Sequence, residues 1–126
     1  MMSENVKKIL LIDDEPLVTS TMTTMLKAYT KHEVITANSG KEGIKEAIKH
    51  SPDLIFLDIM MPDINGIDVL KELKEKSETC MIPIIMLTAL GDAEMMQSAM
   101  HAYAQRYIEK PIDKETLLSV IKGALG

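Results

Sequence analysis

The stretch Leu54–Gly66, L-I-F-L-D-I-M-M-P-D-I-N-G, limits the possible folds more than any other part of the chain. Four apolar residues run unbroken into Asp58, and the pattern then breaks at Pro62 and again at Asn65-Gly66. A short apolar run bounded by turn residues predicts a strand buried on both faces, as in a parallel sheet. Asp58 then emerges at the carboxyl end of that strand, the edge where open α/β sheets bind ligands. Taken alone, the carboxylate is more readily explained as a loop or helix cap than as a functional group. Its neighbours in the fold decide between the two.

A second apolar run, Lys8–Ile12, also ends in carboxylates, Asp13-Asp14-Glu15. Pro16 fits the first turn of a helix, where a missing N–H costs nothing. Val18, Met22, Met25 and Tyr29 recur at helical spacing and predict its buried face, with the intervening Thr and Ser residues toward solvent. Glu33–Ala37 is β-branched and alternating, hence a strand. Gly40–His50 reads as a helix with Ile44, Ala47 and Ile48 inward. Ser39-Gly40-Lys41 lacks the second glycine and the spacing of a phosphate-binding loop. Gly66–Lys76 reads as a helix capped by Asn65, with Ile67, Leu70 and Leu73 buried. Pro83–Leu87 is a strand ending at Thr88-Ala89, and Asp92–Tyr103 a helix. Arg106–Ile108 is a short last strand before Lys110-Pro111. Asp113–Leu125 is the final helix, with Leu117, Leu118, Val120, Ile121 and Leu125 on its apolar face. Alternating strands and helices predict a three-layer, flavodoxin-like α/β sandwich. Its five-stranded parallel sheet has the order 2-1-3-4-5, with five helices joined by right-handed crossovers.

The 126 residues suffice for one domain with a sizeable core, expected to span 1–126 with an ordered core of about 6–125. The longest apolar run, Cys80–Leu87, is eight residues with a proline inside, too short to span a membrane. With no signal-peptide pattern at the start and a single cysteine, the expected location is cytoplasmic. A net charge of −5 argues against a broad nucleic-acid-binding surface. His32, His50 and His101 show no ligand spacing, so a metal here should be a hard ion held by carboxylates. Aromatic residues make up only 3% of the chain, and the 11 methionines are expected to fill the core in their place.

The predicted strand order gathers Asp13 and Asp14, Asp58, Thr88 and Lys110 at one edge of the sheet. Each has an ordinary role available, as a cap or a solvated surface lysine. Four strands ending in such groups on the same edge are hard to explain by capping. Three carboxylates against one ammonium leave an excess of negative charge, which raises carboxylate pKa values unless a cation binds. Mg²⁺ suits such a site, because it takes oxygen ligands from one or two carboxylates together with a phosphate oxygen. With the charge offset, one carboxylate can act as nucleophile toward a phosphoryl group. The lysine and the Thr88 hydroxyl would then face the phosphoryl oxygens.

I-D-D-E-P at 12–16, L-D-I-M-M-P-D-I-N-G at 57–66, L-T-A at 87–89 and Y-I-E-K-P at 107–111 stand in order at specific intervals. With these four pieces the chain resembles, over essentially its whole length, the receiver domains of two-component response regulators, including the chemotaxis receivers. The resemblance implies that Asp58 accepts a phosphoryl group from the phosphohistidine of a sensor histidine kinase or phosphotransfer protein. It implies Mg²⁺, with Mn²⁺ able to substitute, held by Asp13 or Asp14, Asp58 and the backbone carbonyl of Met60. It implies that Lys110 binds the phosphoryl group before a cis Lys110-Pro111 bond, and that Thr88 and Tyr107 form a switch pair. The resemblance also places Met60 and Leu90 at the positions that in the family tune self-dephosphorylation. The face of the fourth helix, fifth strand and fifth helix would act on a downstream protein or output domain, from a monomer or a phosphorylation-dependent dimer. No direct nucleic-acid or membrane contact is implied. Nor is the chain expected to be an enzyme beyond its own phosphotransfer and autodephosphorylation.

One stretch departs from the family. Tyr103-Ala104-Gln105 stands where members usually have Gly-Ala-Asp, and a tyrosine adopts the left-handed conformation available to glycine only with strain. A haloacid-dehalogenase-like phosphatase shares a strand-end aspartate, Mg²⁺ and a lysine. It needs a second aspartate two residues after the nucleophile, where this chain has Met60 after Asp58 and Glu15 after Asp13. A flavin- or nucleotide-binding domain of the same fold is disfavoured by an acidic edge without a glycine-rich loop. An unphosphorylated adaptor would have no use for the complete residue set.

Overall fold

In the computed structural model, which describes residues 5–89, Gln97 and 106–126, five parallel strands form one sheet in the order β2-β1-β3-β4-β5. The strands are β1 (Lys8–Ile12), β2 (Glu33–Ala37), β3 (Leu54–Asp58), β4 (Ile84–Thr88) and β5 (Arg106–Glu109). Helices α1 (Pro16–Tyr29), α2 (Gly40–His50), α3 (Gly66–Glu75) and the C-terminal helix (Lys114–Leu125) connect or follow them. Of the helix expected at 92–103 only Gln97, which is helical, is among the described residues, and Leu90, Tyr103 and Gln105 lie outside them. No described helix is long and apolar enough to cross a membrane.

The pleat divides the core in two, because successive side chains of a strand point to opposite faces. Ile9 and Leu11, Leu54 and Phe56, and Ile85 and Leu87 pack on one face with Met22 and Leu26 of α1 and Leu117, Val120 and Ile121 of the C-terminal helix. Leu10 and Ile12, Ile55 and Leu57, and Ile84 and Met86 pack on the other with Ala47 of α2 and Val69, Leu70 and Leu73 of α3. β3 and β4 are buried along their whole length, as their unbroken apolar runs require. Met22, Met61 and Met86 do fill the core, while Met60 and Met81 are exposed.

Two helix faces differ from expectation. In α1 the buried residues are Thr19, Met22 and Leu26, with Val18 and Met25 half-buried and Tyr29 exposed. Thr19 tolerates burial because its hydroxyl donates to the Pro16 carbonyl at 3.2 Å. Tyr29 instead lies under the Lys114 ammonium, 4.6 Å from the ring centre. In α2 the packing surface is Gly40, Gly43 and Ala47, and Ile48 is exposed. A Cβ at Gly43 would lie 2.6 Å from Ile12 Cδ1, so the helix approaches the sheet along its small residues and turns Ile48 outward. In α3 Asn65 Oδ1 accepts the Asp68 N–H at 3.0 Å as expected, Leu70 and Leu73 are buried together with Val69, and Ile67 is only half-buried.

Candidate functional site

The parallel order sets β1 beside β3, with Ile12 level with Leu57, so the two chains leave the sheet side by side. The Asp13 N–H donates to the Ala37 carbonyl at 3.1 Å, carrying the β1–β2 ladder one residue further. Its side chain accepts the Glu15 N–H at 2.9 Å, which turns the backbone into Pro16 and α1. Asp13 is fully buried, and Asp58, the last residue of β3, is 3% exposed. Carboxylate oxygens of Asp13, Asp14 and Asp58 lie within 4.8 Å of one another. Thr88 ends β4 buried, level with Glu109 of β5. The Lys110 N–H donates to the Thr88 carbonyl at 2.7 Å, so the ladder also places the lysine. Its Nζ stands 3.0 Å from each of Asp13 Oδ2, Glu15 Oε1 and Asp58 Oδ1. The Lys110–Pro111 bond is cis.

Burial and crowding set the charge states. Desolvation, reinforced by the charges of Asp13 and Asp14, pushes the Asp58 pKa up to about 6 against the pull of Lys110. Burial also raises Asp13, although the Glu15 N–H and Lys110 partly hold it down. Burial alone would lower Lys110, but the carboxylates of Asp13, Asp58 and Glu15 around its ammonium outweigh that and raise it. The lysine therefore stays charged throughout the range in which the carboxylates titrate.

One ammonium does not match this acidic set. Asp13 Oδ2 is buried and has no hydrogen bond of good geometry, Lys110 being its ionic neighbour at 3.0 Å. A buried carboxylate oxygen with a free lone pair, next to two further carboxylates, fits a hard divalent cation that binds through oxygen.

Of the remaining expected residues, Met60 is 56% and Tyr107 50% exposed. The sequence reading missed Glu15, which reaches Lys110 although it was available as the third acid of D-D-E. Gly66 closes the loop after Asp58, its N–H donating to the Ile59 carbonyl at 2.6 Å. A Cβ there would lie 2.7 Å from Ile59 Cα and overlap the Asp58 carbonyl oxygen, so only glycine fits.

The family model of the response regulator receiver domain matches residues 9–122. The chain belongs to that family. Its members are signalling modules, and membership supports a phosphoacceptor signalling role for this chain. Protein PilH of Pseudomonas aeruginosa is 34% identical over 119 residues, covering 94% of this chain and 98% of PilH. A probable transcriptional regulator, ycf27 of Cyanophora paradoxa, is 38% identical over 98% of this chain, which spans only 50% of that longer protein. Among solved structures, the chemotaxis response regulator CheY4 of Vibrio cholerae is 30% identical and superposes with a TM-score of 0.87, covering 96% of this receiver and 100% of that chain. A response regulator from Chloroflexus aurantiacus gives 0.89 at 30% identity, covering 96% and 98% of the two chains.

Proposed function

We propose that this receiver takes a phosphoryl group from a phosphohistidine of a partner kinase or phosphotransfer protein onto Asp58. The observation that carries this is Asp58 itself, buried at a strand end, raised in pKa and held 3.0 Å from Lys110. A carboxylate oxygen attacks phosphorus while the phosphorus–nitrogen bond breaks, and the imidazole leaves with the electron pair. Hydrolysis by water later returns the carboxylate and inorganic phosphate. Asp13 or Asp14, Asp58 and the Met60 carbonyl would hold Mg²⁺ (or Mn²⁺), which offsets the negative charge of the incoming group. Lys110 would exchange carboxylate contacts for a phosphoryl oxygen, and the Thr88 hydroxyl would donate to another. Drawing Thr88 toward the phosphoryl group would free space for Tyr107 and alter the surface around β5 and the C-terminal helix, through which a downstream protein or output domain would respond.

Incubation with acetyl phosphate and Mg²⁺, read by intact mass, tests this. One added phosphate is expected in the unsubstituted protein. None is expected in Asp58→Asn or in excess chelator. Undiminished labelling in either case would overturn the assignment.

A further inference from the structure

Asp63 sits in the loop between β3 and α3, outside the carboxylate cluster, yet both of its oxygens are engaged. Oδ1 accepts the Gly40 N–H at 3.1 Å and Oδ2 the Lys41 N–H at 3.0 Å. These are the first two N–H groups of α2, which a helix leaves without internal partners. The third, from Glu42, is already met locally by Ser39 Oγ at 3.1 Å. A carboxylate 22 residues away thus completes the cap and faces the positive end of the helix dipole. The Lys41 hydrogen bond first, and then that of Gly40, holds the Asp63 pKa below its ordinary value. Packing supports the same junction, because a Cβ at Gly40 would overlap Ile64 Cγ2 and lie 2.8 Å from Val69 Cγ2.

We infer that Asp63 is a positioning residue for the metal site: it ties the middle of the loop after Asp58 to α2 and so fixes the backbone at Met60. The inference rests on the proposed function, which makes the Met60 carbonyl a metal ligand. The loop is fixed at one end by β3 and at the other by the Ile59–Gly66 hydrogen bond, and Met61 is buried between them. Exposed Met60 has no comparable anchor of its own, and Asp63 stands three residues on. Mg²⁺ demands near-ideal octahedral geometry, so a loop carbonyl serves it only if held in place.

Ser39 supplies the control, because its side chain caps the same helix through a local hydrogen bond to Glu42. Mg²⁺ would be titrated calorimetrically into the full chain and into Asp63→Ala, Asp63→Asn and Ser39→Ala, with urea unfolding of each in parallel. Asp63→Ala and Ser39→Ala should both lose stability, since the first takes the side-chain acceptor from two helix N–H groups and the second from one. Only Asp63→Ala should also weaken Mg²⁺ binding, by about tenfold. Asp63→Asn, which keeps one acceptor oxygen, should fall between it and the unsubstituted protein. Unchanged Mg²⁺ affinity in Asp63→Ala, or equal weakening in Ser39→Ala, overturns the positioning role and leaves the metal reading standing. If Asp63→Ala does not fold, unchanged affinity in Asp63→Asn overturns it in the same way. Absence of Mg²⁺ binding by the unsubstituted protein overturns the metal reading itself, and this inference with it.

Discussion

Lys110 Nζ lies 3.0 Å from Asp58 Oδ1 across 52 residues of sequence, and it is the cation that holds a crowded acidic edge together. It does not fully offset the cost of that crowding. Asp58 has a folded pKa of about 6 against an ordinary value of 3.8, so between those values the folded state binds more protons than the unfolded one. Stability contributed by Asp58 therefore falls as pH rises from about 4 to about 6, by roughly 3 kcal/mol at most. Lys110 has the same sense, since its pKa is also raised, but its contribution is fully present at these pH values and is lost only at strongly alkaline pH. Asp58→Asn should be the more stable protein at pH 7.5, and the gap should close toward pH 4. Urea unfolding of both proteins across that range checks this, and a gap that does not change with pH would contradict it.

Binding of Mg²⁺ should reverse the penalty. A cation that binds only the folded state at about 100 times its dissociation constant stabilises by about 2.7 kcal/mol. Thermal unfolding at neutral pH should shift upward with Mg²⁺ and return with chelator, and Asp13→Asn should blunt the shift. An unchanged midpoint in saturating Mg²⁺ would argue against a metal site at this edge.

Much of this was legible in the sequence, for a physical reason. A strand buried on both faces must be apolar throughout, so the first polar residue after Leu57 or Leu87 marks the sheet edge, and Asp58 and Thr88 stood out. Helix faces were harder to read. Thr19 is buried because a local hydroxyl–carbonyl bond satisfies it, and Ile48 is exposed because Gly43 brings α2 close to Ile12. Hydropathy carries neither fact. The contacts of Asp63 with Gly40 and Lys41, and of Glu15 with Lys110, join segments distant in sequence, and no local pattern encodes them.

Tyr107, half exposed on β5 level with Met86 of β4, gives the proposed switch a direct readout. Phosphorylation should move its ring resonances in a nuclear magnetic resonance spectrum as the ring loses solvent contact. Thr88→Ala, phosphorylated to the same extent, should show little of that change. Identical shifts in both proteins would separate Tyr107 from Thr88.

The aspartyl phosphate should be comparatively long-lived. Hydrolysis needs a water in line with the bond between phosphorus and the Asp58 oxygen, and neither Met60 nor Leu90 can orient one through a hydrogen bond. Met60→Asn combined with Leu90→Glu should still accept phosphate and should lose it up to about tenfold faster, equivalent to roughly 1.4 kcal/mol in barrier. Loss at the original rate or slower would assign the lifetime to other groups.

The most direct measurement is to locate the modification chemically. An aspartyl phosphate is an acyl phosphate, and borohydride reduces it to homoserine at the residue that carried the phosphoryl group. After phosphorylation in Mg²⁺, reduction and peptide sequencing by mass spectrometry, homoserine is predicted at position 58 and at no other aspartate. Homoserine at position 13 or 14, or nowhere in a protein that carries added phosphate, would contradict Asp58 as the acceptor.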